Sequence, residues 1–436
     1  MIEQLTSWRA ALALLALFAL APQAHAQLTV QITRGVTTPI PVAVVPFGSA
    51  TTPAVDVAQV IQADLERSGR FGALPRASML QKPTSSAAVD FTQWRLLKND
   101  FLVIGRLQSD GLRQDVEFEL FNVVTGERLL GYRIPAAATA LRLAAHRAAD
   151  FIYEKILGVP GSFASRIAYV NVQGPIASRR WRLIVADADG ENAQVVLESH
   201  DPIMSPAWSP DGTRLAYVSF EGQSSAVYVQ TLTSGARERV SARTGINGAP
   251  AWSPDGSRLA ITLSQRDGNV DIFVLELAKH ELLRVTDDPA IDTEPNWAPD
   301  GRSLYFTSDR AGRPQVYQIV LASGERPKRI TFEGAYNARP RVSPDGKQLA
   351  VVTLDQGAYR IAVVDVASGR SRVLSSGQLD EGPTFAPNGQ VLLFAARERG
   401  RGVLETVAVD GSVTSRISAA DGDVREPAWS PRVTGP

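Results

Sequence analysis

Pro206-Ala207-Trp208-Ser209-Pro210-Asp211-Gly212 opens a unit that the chain repeats. It returns as Pro250-Ala251-Trp252-Ser253-Pro254-Asp255-Gly256 and as Pro295-Asn296-Trp297-Ala298-Pro299-Asp300-Gly301. Altered copies follow at residues 340–346, with Val342 in place of Trp, and at 383–389, with Phe385 for Trp and Asn388 for Asp. A truncated sixth copy, Pro427-Ala428-Trp429-Ser430-Pro431, stands near the C-terminus. The steps between aromatic positions are 44, 45, 45, 43 and 44 residues. A fixed period of this size signals a repeat architecture.

Within a unit the pattern reads as four short strands. In the second copy, Ser253-Pro254-Asp255-Gly256 is a turn, with proline pre-setting φ and glycine accepting a positive one. Arg258 to Ser264 places Leu259, Ile261 and Leu263 on one face, the period-2 mark of a strand. Strands over 270–277 and 281–286 complete the unit. Four strands in about 45 residues is one propeller blade. The tryptophans suit the wedge between blades and are expected to be core. Arg166-Ile167-Ala168-Tyr169-Val170 matches Arg214-Leu215-Ala216-Tyr217-Val218, so the first unit begins at its second strand. The last begins and ends with a first strand, residues 427–431. The C-terminal strand is therefore expected to complete the N-terminal blade and close a six-bladed ring.

Length and composition fit this reading. The chain has 436 residues, 44% apolar and 21% charged, with 45 basic and 45 acidic side chains. The charge balance gives no basic excess for nucleic acid. There is no cysteine, which excludes disulfides, thiolate ligands and cysteine nucleophiles.

Ahead of the repeats, residues 1–26 read as a cleaved signal peptide: an apolar run over 10–21, too short to span a bilayer comfortably, then Ala24-His25-Ala26. An uncleaved anchor is the alternative, but no stop-transfer stretch follows. Residues 27–160 read as a small α/β domain. Its strands are expected over 42–47, 101–107, 116–124 and 128–134, and its helices over 55–67 and 139–157. Leu143, Phe151, Ile152 and Ile156 are expected on the buried side of the second helix. Gly158-Val159-Pro160-Gly161 marks the linker to the propeller, residues 161–436. The first mature residues, Gln27, Leu28, Thr29, Val30, Gln31, Ile32 and Thr33, alternate apolar and polar. Such a segment can pair with its own protein or be offered to a partner as an added strand.

Nothing in the sequence spells out catalysis, a metal site or a cofactor site. His146, His200 and His280 stand apart and in no metal pattern. No Gly-x-Ser-x-Gly elbow, Walker loop or dinucleotide glycine pattern is present. A carboxylate pair assembled from different blades could still act as acid and base or hold Ca²⁺ in the channel, and the sequence leaves that open. The arginines of 179–182 and 397–401 read as solvated inter-strand loops.

Taken together, the signal peptide, the domain opening with Val44-Val45-Pro46-Phe47 and the Pro-x-Trp-Ser-Pro-Asp-Gly units resemble the TolB family. Ser308-Asp309-Arg310-Ala311-Gly312-Arg313-Pro314-Gln315-Val316-Tyr317 and Asn247-Gly248-Ala249-Pro250 carry the more specific part of that resemblance. It implies a periplasmic component of the Tol–Pal cell-envelope system, supporting outer-membrane integrity and cell division. It implies partners: the lipoprotein Pal at one propeller mouth, TolA at the mature N-terminus, other envelope proteins, and some colicins at the same mouth. No cofactor, nucleic acid or stable membrane insertion is implied. The loops entering each first strand converge on one mouth, where they present Ile246, Asn247, Ala249, Asp292, Thr293, Glu294, Asn337, Arg339, Asp380, Glu381, Arg425 and Glu426. Ala249 and Thr293 match the family's Pal-contacting positions most clearly. A propeller hydrolase, a peptidase accessory domain and a sugar-binding module are the other readings.

Overall fold

The computed structural model describes residues 31–34, 38–110, 113–265, 268–417 and 422–432. The expected signal peptide and residues 27–30 lie outside them.

The N-terminal region forms a mixed sheet of β2 (Ile40–Val44), β3 (Phe71–Ala73), β4 (Phe101–Asp110), β5 (Arg113–Asn122) and β6 (Arg128–Ile134), in the order β3-β2-β4-β5-β6. Helices α1 (Val57–Arg67) and α3 (Leu141–Leu157) pack on it, their apolar side chains sharing one core with Val42, Val103, Phe118 and Leu120. Asp56 caps α1, accepting the Gln59 N–H at 3.0 Å. A short helix α2 (Phe91–Leu96), absent from the sequence reading, delivers Trp94 to the other sheet face.

The buried side of α3 differs from the expected one. Ile152 is buried, but Leu143 is half-buried and Phe151 is exposed, stacked on Tyr132. The contact stripe is Leu141, Ala144, Ala145, Ala148, Ala149 and Tyr153. Alanines allow close helix packing, and an apolar count underrates them. The same stripe buries His146. Gly158, at φ 72°, ends α3 in the left-handed conformation.

Six further sheets form the propeller. Blade 1 is β7 (Arg166–Gln173), β8 (Arg180–Asp187) and β9 (Gln194–Ser199), completed on the inside by the closing strand Asp423–Trp429. The closing strand runs antiparallel to β7, pairing Arg425 with Val170, Ala428 with Ala168 and Trp429 with Ile167. Blades 2 to 6 span residues 203–241, 247–284, 292–329, 337–373 and 381–417. Arg180, Arg182, Arg397 and Arg401 lie within strands rather than loops. β1 (Gln31–Arg34) adds a fifth strand outside blade 6, pairing Gln31 with Arg416 and Ile32 with Ser415.

Burial on both sheet faces explains the alternation. Leu259, Ile261 and Leu263 pack with Trp252 and Ala216, while Ala260 packs with Trp297, Leu304 and Phe306 of the next blade. Trp208, Trp252, Trp297 and Phe385 are buried core residues between blades, as expected. The Ser-Pro-Asp-Gly turn closes with Gly256 at φ 71°. Asp255 accepts from the hydroxyls of Ser253 at 2.5 Å and Ser257 at 2.8 Å, which hold its carboxyl down at about 2.

Candidate functional site

The inner strands carry one irregularity at the same place in every blade. Strand register shifts between Met204 and Ala207, Gly248 and Ala251, Thr293 and Asn296, Ala338 and Arg341, Glu381 and Thr384, and Arg425 and Ala428. These are bulges, which re-aim a side chain out of the ladder. At each bulge the residue preceding proline has positive φ: Ser205 51°, Ala249 46°, Glu294 56°, Arg339 54°, Gly382 63° and Glu426 51°. Five of the six are not glycine. Left-handed backbone costs such residues energy, so the surrounding ring must hold them there.

Three of these residues join across the axis. Arg339 of blade 5 donates through Nε to Glu294 of blade 4 at 2.8 Å and through Nη2 to Glu426 of blade 1 at 3.0 Å. Glu426 also accepts the Ser205 N–H of blade 2 at 3.2 Å. Glu426, against burial and with Glu294 and Glu381, holds the Arg339 guanidinium charge well above its ordinary range. Burial opposes charge on Glu426, but Arg339 outweighs it and keeps the carboxyl below the usual range. Arg341 adds a second cation to this electrostatic cluster, alongside Glu294, Arg339 and Glu426. The centre of the wheel therefore carries a charged cluster.

The residues expected at the mouth divide into three groups. Asn247, Asp292, Asn337 and Asp380 are fully enclosed, which corrects their reading as mouth-facing side chains. They pin the entering loops. Asn247 bonds Ser241 and the Arg243 backbone, Asp292 takes both oxygens to Arg310, Asn337 donates to Gln315 and the Glu333 carbonyl, and Asp380 accepts the Gly377 N–H. Burial raises the Asp292 and Asp380 carboxyls. Glu294, Arg339 and Glu426 form the charged cluster and remain partly accessible. Ile246, Ala249, Thr293, Glu381 and Arg425 stay at least partly accessible. Arg425 holds Asp423 through Nε at 2.8 Å and Nη2 at 2.6 Å, and burial raises the Glu381 carboxyl.

Sequence reasoning missed part of the rim. Four residues before the proline, where Ile246 is 49% exposed, successive blades carry Ile291 at 51%, half-buried Tyr336 and Leu379 at 36%. An apolar arc thus follows four consecutive loops. Aligning the repeats on their prolines would have found it. The reading also missed Ser205 and Arg341.

Elsewhere, Gln31, Ile32 and Thr33 of the expected partner-binding segment lie in β1. Among the described residues, one group could offer three metal-ligand atoms, Asp64, His146 and Asp189, all buried. Sequence spacing concealed it, since Asp64 and His146 stand 82 positions apart. No helix among the described residues is long and apolar enough to cross a membrane.

A six-bladed wheel with a charged cluster at its axis, an apolar-rimmed mouth and an α/β domain fixed at its side defines a two-domain β-propeller protein. The sequence model of the TolB beta propeller domain matches residues 153–433, and that of the TolB amino-terminal domain matches residues 28–129. The chain is 55% identical to the Tol-Pal system protein TolB of Methylococcus capsulatus, over 94% of this chain and 96% of that one. It is 51% identical to the protein of the same name in Xanthomonas campestris pv. campestris, over 97% and 98%. The crystal structure of TolB from Acinetobacter baumannii superposes with a TM-score of 0.85 at 37% identity, covering 93% of this chain and all of that one. The chain belongs to the TolB family.

Proposed function

We propose that the chain is the TolB component of a Tol–Pal cell-envelope system, a periplasmic protein-binding scaffold that catalyses nothing. Its propeller mouth binds the peptidoglycan-associated lipoprotein Pal, and its mature N-terminal segment, Gln27 to Thr33, binds TolA. Through these contacts it supports outer-membrane integrity and cell division. The observation that carries the reading is the near full-length similarity to proteins named for that system.

The mouth has suitable chemistry. An apolar arc of Ile246, Ile291 and Leu379 beside polar Thr293, Glu381 and Arg425 matches an interface with an apolar centre and a polar rim. Gln31, Ile32 and Thr33 lie in β1 at the outer end of its sheet, in the extended form that strand addition requires.

Capture of purified Pal by the mature protein tests the mouth. Thr293→Arg and Ala249→Arg should each abolish capture with the fold intact. Undiminished capture by both would remove Pal from this mouth.

A further inference from the structure

Three of the six inter-blade joins share one fastening. Arg166, Arg214 and Arg258 each stack on the tryptophan of the following blade, at 4.9, 4.5 and 4.7 Å from Trp208, Trp252 and Trp297. Each also donates to a glycine carbonyl there, Gly212, Gly256 and Gly301. Each of those tryptophans donates Nε1 back to the preceding inner strand at 3.1 Å. In blades 4, 5 and 6 the arginine position holds Ser303, Gln348 and Val391. The joins between blades 4 and 5, 5 and 6, and 6 and 1 are therefore without the arginine fastening, and the last of these seams borders the blade that the closing strand completes.

That seam is where the N-terminal domain sits. On the blade 1 side, His146 Nδ1 lies 2.6 Å from Asp64, and its Nε2 is 3.8 Å from both Asp187 and Asp189 in the turn after β8. Arg142 bonds Asp189 and lies 3.4 Å from Asp187, and Arg67 bonds Asp64 at 2.5 Å and reaches Asp189 at 3.8 Å. Three carboxylates face two guanidinium groups and one imidazole. A proton on His146 balances the group, whereas a divalent metal would leave it with excess positive charge beside two arginines. On the blade 6 side, Arg70 meets Asp410 at 2.5 Å and Ser415 donates to the Arg67 carbonyl at 3.2 Å. Gly69 lies so close to Val413 that a Cβ would come within 2.2 Å of it. Between the two sides, Asn388 donates to the Pro160 carbonyl, Trp429 to Ser165 and Arg432 to the Gly161 carbonyl.

We propose that the N-terminal domain is the fastening this seam lacks: a clamp with one jaw on the Asp187–Asp189 turn of blade 1 and the other on the Asp410–Ser415 segment of blade 6. The closing strand runs through the clamped join and carries Glu426. Release of the clamp would loosen Glu426 from Arg339 and so alter the mouth. The clamp stands whether or not the partners proposed above are correct.

Amide hydrogen exchange on the full mature chain tests it, with Asp189→Asn opening the first jaw and Asp410→Ala the second. The Trp429 N–H, donated to the Thr384 hydroxyl of blade 6 at 3.2 Å, reports the seam, the Ser430 N–H, bonded to the Arg166 carbonyl, reports the closing strand within blade 1, and the Ala260 N–H within blade 3 serves as internal reference. Asp189→Asn should exchange about tenfold faster or more at Ser430, β7 and the closing strand, and Asp410→Ala about twofold to fivefold faster, with blade 3 unchanged. Unchanged seam exchange in a folded variant would overturn the proposal. If Asp189→Asn does not fold, Asp410→Ala decides alone, because Asp410 is half-exposed and its loss leaves no buried charge.

Discussion

Arg339 and Glu426 stand 87 positions apart and meet across the propeller axis, guanidinium Nη2 to carboxylate Oε1 at 3.0 Å. The pair ties blade 5 to the closing strand of blade 1, so it exists only in a completed ring. Its side chains are 26% and 14% exposed, between a surface pair and a buried one.

Removing one partner leaves the other charge poorly solvated. Arg339→Met should therefore lower stability by about 1–3 kcal/mol, below the cost at a fully buried pair. Adding Glu426→Gln should restore part of the loss. Urea unfolding of the two variants and their combination measures the coupling, and strict additivity would deny that the two side chains interact.

Fastened and unfastened joins should respond differently. Arg214→Ala removes a stacked guanidinium from Trp252 and should cost about 1 kcal/mol. Gln348→Ala, at the same place in blade 5, should change the unfolding free energy by less than about 0.5 kcal/mol. Chemical unfolding of both variants checks the contrast.

His146 gives the N-terminal domain a dependence on alkaline pH. Burial opposes its charge, but Asp64, Asp187 and Asp189 outweigh that, and its pKa is pushed up to about 10. Arg67 and Arg142 face the same carboxylates. Because the folded value lies above the unfolded one of about 6.5, the stabilisation is complete below pH 6.5 and declines as pH rises through 10. Thermal midpoints over that window should fall more steeply for the native chain than for His146→Asn. Parallel slopes would show that the imidazole does not carry the charge.

At the mouth, accessible and enclosed residues should separate. Ile291→Arg should weaken Pal capture while leaving the unfolding midpoint near that of the native chain. Asn247→Ala should lower stability by about 1–3 kcal/mol, because it strands the Ser241, Arg243 and Gly245 groups that Asn247 now satisfies. Calorimetry on the folded proteins, with and without Pal, distinguishes the two effects.

The repeat made the wheel legible before any coordinates. Proline, tryptophan and the Asp-Gly turn recur locally, and local order is what a sequence displays. The bulge ahead of each proline is where that legibility fails. It breaks the two-residue alternation, so it reverses which neighbours are enclosed. Asn247 and Asp292 then read as mouth residues although their enclosed side chains pin loops, and the pairing of Arg339 with Glu426 goes unseen. Asp64, His146 and Asp189 were hidden for another reason: two helices and a blade turn bring them together, and no spacing records that. The pairing of β1 with blade 6 is equally non-local.

Closure by the chain's own C-terminus is the claim on which the rest depends. Thermal unfolding of a mature chain ending at Gly422, compared with the full mature chain, tests it most directly. The shortened chain should lose the cooperative propeller transition, since it lacks the strand paired with β7 and leaves the inner edge of β7 open. An unchanged midpoint and an equally sharp transition would contradict it.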